Sequence, residues 1–263
     1  MSRETLSPGQ AQSIVVNVNS IVMKCKNKIE QKYTDFVEAV SKIWEDENAV
    51  ECFKNHKQIM EEIIKKLNEY NHDFENKVES IANRYAHVGN MKQISVERIN
   101  LTPIINVDKI KNHFVDGENG DDFGFINPEH GAEQVMDAYH ELEVQLKIIA
   151  QEANASISKT SAFGNIEVKL ALVRAASQII SAMNEALDRA KKVVKDFIQS
   201  TAEAYEQAGK TATETTSENK HEKPDFLIPD LPGPYPYGPP LEGLPFPGSN
   251  SDSGSGIGPD GHE

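Results

Sequence analysis

Four stretches of the chain carry an apolar residue at every third or fourth position, with polar residues between. They span residues 14–44, 49–85, 135–157 and 168–205. Because steps of three and four return to one face of an α-helix, each stretch predicts a long amphipathic helix. Such helices are unstable alone and must pack on one another. The pattern therefore predicts an all-α fold, in which two long helical hairpins in tandem form a four-helix bundle.

Changes in composition divide the chain further. The segment after the second stretch is mildly β-prone at its start and acidic and turn-rich at its end. Ten of the 13 prolines and eight of the 16 glycines follow residue 220, and this composition is typical of extended, disordered chain. We predict a helical hairpin over 1–90, a linker over 91–125, a second hairpin over 126–212 and a disordered Pro/Gly/Ser-rich tail over 213–263. PxxP spacings leave open a use of the tail as a docking ligand, although a spacer or export tail is favoured.

The two predicted hairpins repeat one pattern at an offset of 119–120 residues. Tyr85 and Tyr205 are each followed four residues later by a glycine, Gly89 or Gly209, which is a natural helix stop. The other matched positions are Pro8 with Pro128, Trp44 with Phe163, Ala49 with Val168, and Phe53 with Leu172. A duplicated unit explains this match. Two unrelated hairpins of similar length are the alternative.

Local signals mark the helix start and the two turns. Ser7 and Gln10 fit a capping box, and Pro8 suits the first helical position. Each predicted turn contains a short polar residue, Asp46 in the first and Asn165 in the second. Asp and Asn tolerate the left-handed backbone conformation that a tight turn can require, which suits both positions to that conformation.

The charge of the chain argues against several classes of partner. The formal net charge is −14, from 27 Lys and Arg against 41 Asp and Glu. Nucleic acid is not expected as a partner, since its binding requires clustered cations. An anionic membrane surface and a membrane-active amphipathic role are disfavoured for the same reason.

The N-terminus lacks the features of a cleaved signal peptide, and no apolar run is long enough for a membrane helix. We therefore expect a protein that begins in the cytoplasm.

The motif search gives no catalytic, cofactor-binding or metal site. No HExxH, GxSxG, Walker or dinucleotide motif occurs, and the chain is expected not to be an enzyme. The acidic residues within 116–122 lack the spacing of an EF-hand loop, so a solvated linker is favoured over a calcium site. Cys25 and Cys52 cannot face each other across the predicted hairpin and are expected to be small buried hydrophobes.

The hairpin unit resembles the WXG-motif family, the early secreted antigenic target-like helical hairpins of type VII secretion systems. The resemblance covers about 6–90, with a proline-initiated helix, Trp44 at the turn, Ala49 and Phe53 after it, and Tyr85 near the end. It extends over 126–210 with more departures. The departures in the turns are Asp46 and Asn165 in place of the family's glycine, and Phe163 in place of its tryptophan.

The family's export signal, Tyr-x-x-x-Asp/Glu after the second helix, is not intact in this chain. Glycine occupies the fourth position after both Tyr85 and Tyr205. The literal match, Tyr139 with Glu143, lies early in the third predicted helix.

The resemblance implies a non-enzymatic type VII secretion protein without a cofactor. Members pair as dimers of hairpins, so the fused hairpins imply an intramolecular pseudo-dimer, with a homodimer also open. The chain would be secreted without a cleaved signal peptide, or would escort a larger effector by helix pairing. Its partners would be a WXG-like protein, a larger effector or the secretion ATPase. The alternative is an intracellular structural or scaffold bundle, associated with phage or the cell envelope and not exported.

Seven residues are candidates for partner recognition at the hairpin turns and ends: Trp44, Asp46, Phe53, Tyr85, Phe163, Asn165 and Tyr205. Two interpretations of Trp44 stay open. In one, Trp44 forms a recognition surface together with the Tyr85 end of the hairpin. In the other, it is a packed turn aromatic, as aromatics at helical spacing commonly are.

Overall fold

The predicted all-α four-helix bundle is confirmed. A computed structural model describes residues 6–105, 125 and 130–218, with side chains described as far as residue 207. Its helices are α1 (Pro8–Val40), α2 (Glu47–Val88), α3 (Gly131–Ser158) and α4 (Ile166–Glu218). None of these helices combines the length and apolar character needed to cross a membrane. The acidic segment 116–122, residues 126–129 with Pro128, and residues 219–263 of the predicted tail lie outside the described residues.

Helix boundaries follow the local signals with one exception. Ser7 and Gln10 form the predicted capping box, since each backbone N–H donates to the other's side chain at 2.9 and 3.2 Å. Gly89 ends α2 as predicted. Gly209, in contrast, does not end α4, which continues to Glu218 and so into the predicted tail. A glycine disfavours a helix by about 1 kcal/mol but does not terminate it, and the next proline after it is Pro224.

Each hairpin is joined internally by a buried tyrosine. The Tyr33 hydroxyl of α1 donates to the Phe53 carbonyl of α2 at 2.7 Å. The Tyr139 hydroxyl of α3 donates to the Leu187 carbonyl of α4 at 2.8 Å. Because a buried hydroxyl needs a partner, both bonds restrict how the helices of a hairpin can slide.

The two hairpins pack with α2 antiparallel to α4 in a single register. Ion pairs join Glu62 to Arg189, Lys66 to Glu185, and Arg84 to Glu167. Four residues forward along α2 are matched by four back along α4, and the next 18 forward by 18 back. Exposed ion pairs contribute little stability. These pairs therefore indicate the register of the two helices but do not account for its stability. The apolar core lies where α1 packs against both α2 and α3.

Both cysteines lie in the apolar core as free thiols, as predicted. Cys25 and Cys52 are almost completely buried. Burial raises the pKa of both thiols to about 12, because a thiolate would lose its hydration there. They therefore pack as small hydrophobic side chains.

The start of the predicted linker is an ordered strap, residues 91–105, that runs back along the first hairpin. Side chains of α2 accept hydrogen bonds from its backbone N–H groups, pairing Ile94 with Asn83, Val96 with Glu79, Ile99 with Glu75, and Leu101 with Asn68. Seven extended residues cover about 23 Å, and so do the 15 helical residues opposite them. Because the two lengths match, side-chain oxygens of α2 accept the hydrogen bonds that the carbonyl groups of a neighbouring strand would accept in a sheet.

A buried polar network anchors the strap to both helices of the first hairpin. Asn71 Nδ2 donates to Asn19 Oδ1 and to Glu75 Oε1, each at 2.9 Å. Asn19 Nδ2 donates to the Glu97 carbonyl of the strap at 3.2 Å. The Glu75 carboxylate is fully buried and also contacts His72 Nδ1 at 2.8 Å. Paired in this way, the carboxylate avoids the large penalty of an isolated buried charge.

His56 is a second polar group inside the core. Its ring is fully buried, and neither ring nitrogen has a hydrogen-bond partner among the described residues. Ring centroids of Tyr33, Phe36 and Tyr139 lie 5.0, 5.5 and 5.8 Å away. Burial lowers the pKa of His56 to about 3, because the imidazolium would be unhydrated.

We expect His56 to make the fold acid-sensitive. The unfolded chain takes up this proton near pH 6.5, and the folded protein only near pH 3. The contribution of neutral His56 to the free energy of unfolding is therefore fully present well above pH 6.5, and it falls below that pH by about 1.4 kcal/mol per pH unit. Urea unfolding of His56→Leu at about pH 7.5 and about pH 5 should show less acid destabilisation than the wild type. Substitution of the exposed His87 by Leu is the control, and an equal loss in all three proteins would contradict the prediction.

Candidate functional site

The first hairpin turn closes one end of the bundle, here called the Trp44 end and formed by Trp44, Asp46, Phe125, Thr201 and Tyr205. The Trp44 ring is completely buried, with the ring centroids of Phe125 and Phe53 at 5.6 and 6.4 Å. The packed-turn interpretation of the lone tryptophan therefore describes its position. Its ring is not available to a partner while the end stays folded.

Phe125 completes this end and was not anticipated from the sequence. It pairs with Trp44 in an isolated antiparallel bridge, and its ring stacks on Tyr205 at 6.5 Å. The Tyr205 hydroxyl donates to the Phe125 carbonyl at 3.3 Å. A Cβ atom at Gly131 would lie 2.3 Å from Phe125 Cβ, so glycine is required there. The sequence feature that could have indicated Phe125 is its position as an apolar residue at the end of an acidic linker.

Asp46 joins the first turn to the second hairpin. One carboxylate oxygen accepts from the Ala49 N–H at 2.6 Å and caps α2. The other accepts from the Thr201 hydroxyl of α4 at 2.8 Å, and Asn48 Nδ2 donates to the same hydroxyl at 3.2 Å. The suggested left-handed conformation is wrong for Asp46, whose φ of −162° is extended. A carboxylate is needed here for two acceptor bonds that glycine could not make.

The second turn uses the same cap but orients its aromatic residue differently. Asn165 Oδ1 accepts from the Val168 N–H at 3.0 Å, as Asp46 does from Ala49. The left-handed residues are Phe163 and Gly164, with φ of 49° and 78°. The left-handed conformation predicted for Asn165 thus lies at its two predecessors. Phe163 is 44% exposed, whereas its counterpart Trp44 is buried.

The structure separates two residues that the sequence interpretation joined. Tyr85 lies near the end of α2, about 57 Å along the helix axis from Glu47. Its neighbour Arg84 pairs with Glu167 at the start of α4. Tyr85 therefore lies near the second turn, and the tyrosine beside Trp44 is Tyr205 of the other hairpin. Phe53 lies in the core under Trp44.

Tyr205 is the part of the Trp44 end that a partner protein could contact. Its ring is 37% exposed, so it covers the buried Trp44–Phe125 pair on one side and faces solvent on the other.

A search for metal ligands gives no candidate site. In the described part of the chain, no group of three His, Cys, Asp or Glu side chains could hold a metal ion.

Comparisons of the chain with protein-family models, with curated proteins and with solved structures find no match. The resemblance to WXG-motif hairpins therefore rests on the residues quoted above and stays a prediction.

The two turn aromatics should differ in their contribution to stability. Trp44→Ala should lower the free energy of unfolding by about 3–5 kcal/mol, because it leaves a cavity under Phe125. Phe163→Ala should lower it by less than about 1 kcal/mol, because that ring is half in solvent. Chemical denaturation followed by far-UV circular dichroism measures both values. Similar losses in the two variants would contradict this assignment.

Asp46 and Thr201 should be energetically coupled across the hairpins. In a double-mutant cycle of Asp46→Ala and Thr201→Val, we expect a coupling free energy of about 1 kcal/mol or more. The same cycle with Asn165→Ala in place of Asp46→Ala is the control, and it should be additive within about 0.5 kcal/mol because the sites are far apart. Additivity in the first cycle would show that the bond does not hold the hairpins together.

Proposed function

We propose that this chain is a non-enzymatic protein of a type VII secretion system, built from two fused WXG-like hairpins. It is exported without a cleaved signal peptide, or it escorts a larger effector by helix–helix pairing. In this proposal the second hairpin replaces the partner with which a single hairpin would dimerise. The chain is then an intramolecular pseudo-dimer.

One observation carries the proposal. The antiparallel register of α2 and α4 puts the Trp44 turn of one hairpin beside Tyr205, near the end of the other. Turn aromatic and terminal tyrosine are the features of the hairpin family, and here they come from two hairpins and form one continuous end. A recognition protein could contact this end as a folded unit, through the exposed part of Tyr205 and the acidic first turn of α2.

The departure from the family's export signal supports the alternative function. Gly209 follows Tyr205 where the signal has Asp or Glu. A bundle that stays in the cell as a structural or scaffold component would have no need of that carboxylate.

Localisation distinguishes the two functions. The protein is quantified in cells and in culture supernatant, in the parent strain and in a strain lacking the secretion ATPase. Export through this route requires a supernatant pool that disappears without the ATPase. A pool confined to the cells in both strains would leave only a chaperone that stays behind or an unrelated scaffold.

A substitution at the Trp44 end tests the mechanism in the same assay. Tyr205→Ala should strongly reduce the supernatant pool while the cellular level stays similar, because it removes the exposed ring of that end. Tyr70→Ala, which removes a half-buried tyrosine from the middle of α2, should leave export unchanged. Normal export of Tyr205→Ala would show that the Trp44 end is not recognised.

A further inference from the structure

The opposite end of the bundle has an apolar surface that the fold leaves uncovered. Phe163 in the second turn and Ile166, Leu170 and Val173 on α4 are 44, 52, 63 and 52% exposed. The three helical residues follow one another at steps of four and three, so they form one stripe. The adjoining face of α4, including Val168 and Leu172, is buried in the core. A helix that is apolar on both faces is typical of a helix buried on both sides.

The first hairpin shows that the fold does not require this stripe. At the 119-residue offset that relates the caps Asp46 and Asn165, the stripe positions of α2 are Glu47, Glu51 and Lys54, all exposed. The same helix start is therefore built with charged side chains in one hairpin and apolar side chains in the other.

Two grooves border the stripe. One, of about 400 Å³, lies between α2 and α4, and Leu170 forms part of its wall. The other, of about 470 Å³, lies at the second turn, and Ile166 and Val173 form part of its wall. The stripe is thus a ridge between two depressions, which is the shape that side chains of a second helix pack against.

Three cations and two carboxylates border the two grooves, although the chain as a whole carries a net charge of −14. Lys77 and Arg174 border the first groove together with Asp73 and Glu167, and Lys169 borders the second. Glu167 is paired with Arg84. The three cations, Lys77, Lys169 and Arg174, form no ion pair with any described residue.

We propose that this surface docks an amphipathic helix of another protein whose apolar side chains are flanked by Asp and Glu. The apolar face would cover Ile166, Leu170 and Val173, and the carboxylates would pair with Lys77, Lys169 and Arg174. Helix-in-groove recognition of this kind uses apolar anchors at steps of three and four. The binding is a property of the purified chain and does not depend on the proposed export.

Charge favours this occupant over a second copy of the chain. In a symmetric pair of copies, Lys169 and Arg174 of both chains would face each other, which is unfavourable.

The test uses the full-length protein and two fluorescent synthetic peptides of about 20 residues, with the same Leu face and either Glu or Lys beside it. Fluorescence anisotropy should show that the Glu peptide binds at least about ten-fold more tightly than the Lys peptide. The triple variant Ile166→Glu, Leu170→Glu, Val173→Lys places the first hairpin's residues on the ridge. It should weaken binding of the Glu peptide by about ten-fold or more.

Two further variants make the result specific. Lys169→Glu with Arg174→Glu should reverse the preference towards the Lys peptide. Val16→Glu with Met23→Glu removes exposed apolar residues from α1 and should bind like the wild type. Circular dichroism and thermal unfolding show whether each variant keeps its fold.

Three results would overturn the proposal: no binding of the Glu peptide, equal binding of both peptides, or undiminished binding by the folded triple variant. Sedimentation equilibrium adds a fourth. Self-association of the wild type that the triple variant lacks would assign the surface to a second copy. Export of the triple variant can be measured separately, so failure here leaves the proposed function standing.

Discussion

The antiparallel packing of one hairpin on the other, with α1 on α3 and α2 beside α4, is the constraint on which the rest of the structure depends. Once Lys66 lies opposite Glu185, every other level of the two helices follows. One end then receives the first turn and Tyr205, and the other receives the second turn and Tyr85. Because the hairpins are covalently fused, this arrangement forms without the translational entropy loss that two separate hairpins would incur.

Polar groups determine the helix register and the strap position, which the burial of apolar surface alone does not determine. A hydrophobic face stabilises many registers similarly, whereas a buried carboxylate or hydroxyl is satisfied in few of them. Glu75 holds the strap at one position, and Asp46 with Thr201 holds one hairpin to the other. His56 has no hydrogen-bond partner among the described residues, and its burial means that the folded state requires the neutral imidazole.

The two turns show one scaffold used in two ways. Both begin their second helix with a side-chain cap, at Asp46 and Asn165. The first turn folds Trp44 inwards and seals it with Phe125, while the second holds Phe163 outwards next to an exposed apolar stripe. One end of the bundle is therefore sealed and the other exposes an apolar stripe. The two ends therefore present different surfaces to solvent.

Local features were predictable from the sequence, because they depend on residues a few positions apart. Helical periodicity defined the four helices, the Ser7–Gln10 box set the first helix start, and Trp44 and Phe163 marked the turns. Features that depend on distant residues were not predictable in this way. The partnership of Trp44 with Tyr205, the closure by Phe125 and the course of the strap arise only when the two hairpins dock. Periodicity determines that a face is buried, whereas the tertiary structure alone decides what covers it and which apolar stripe, such as Ile166–Leu170–Val173, is left in solvent.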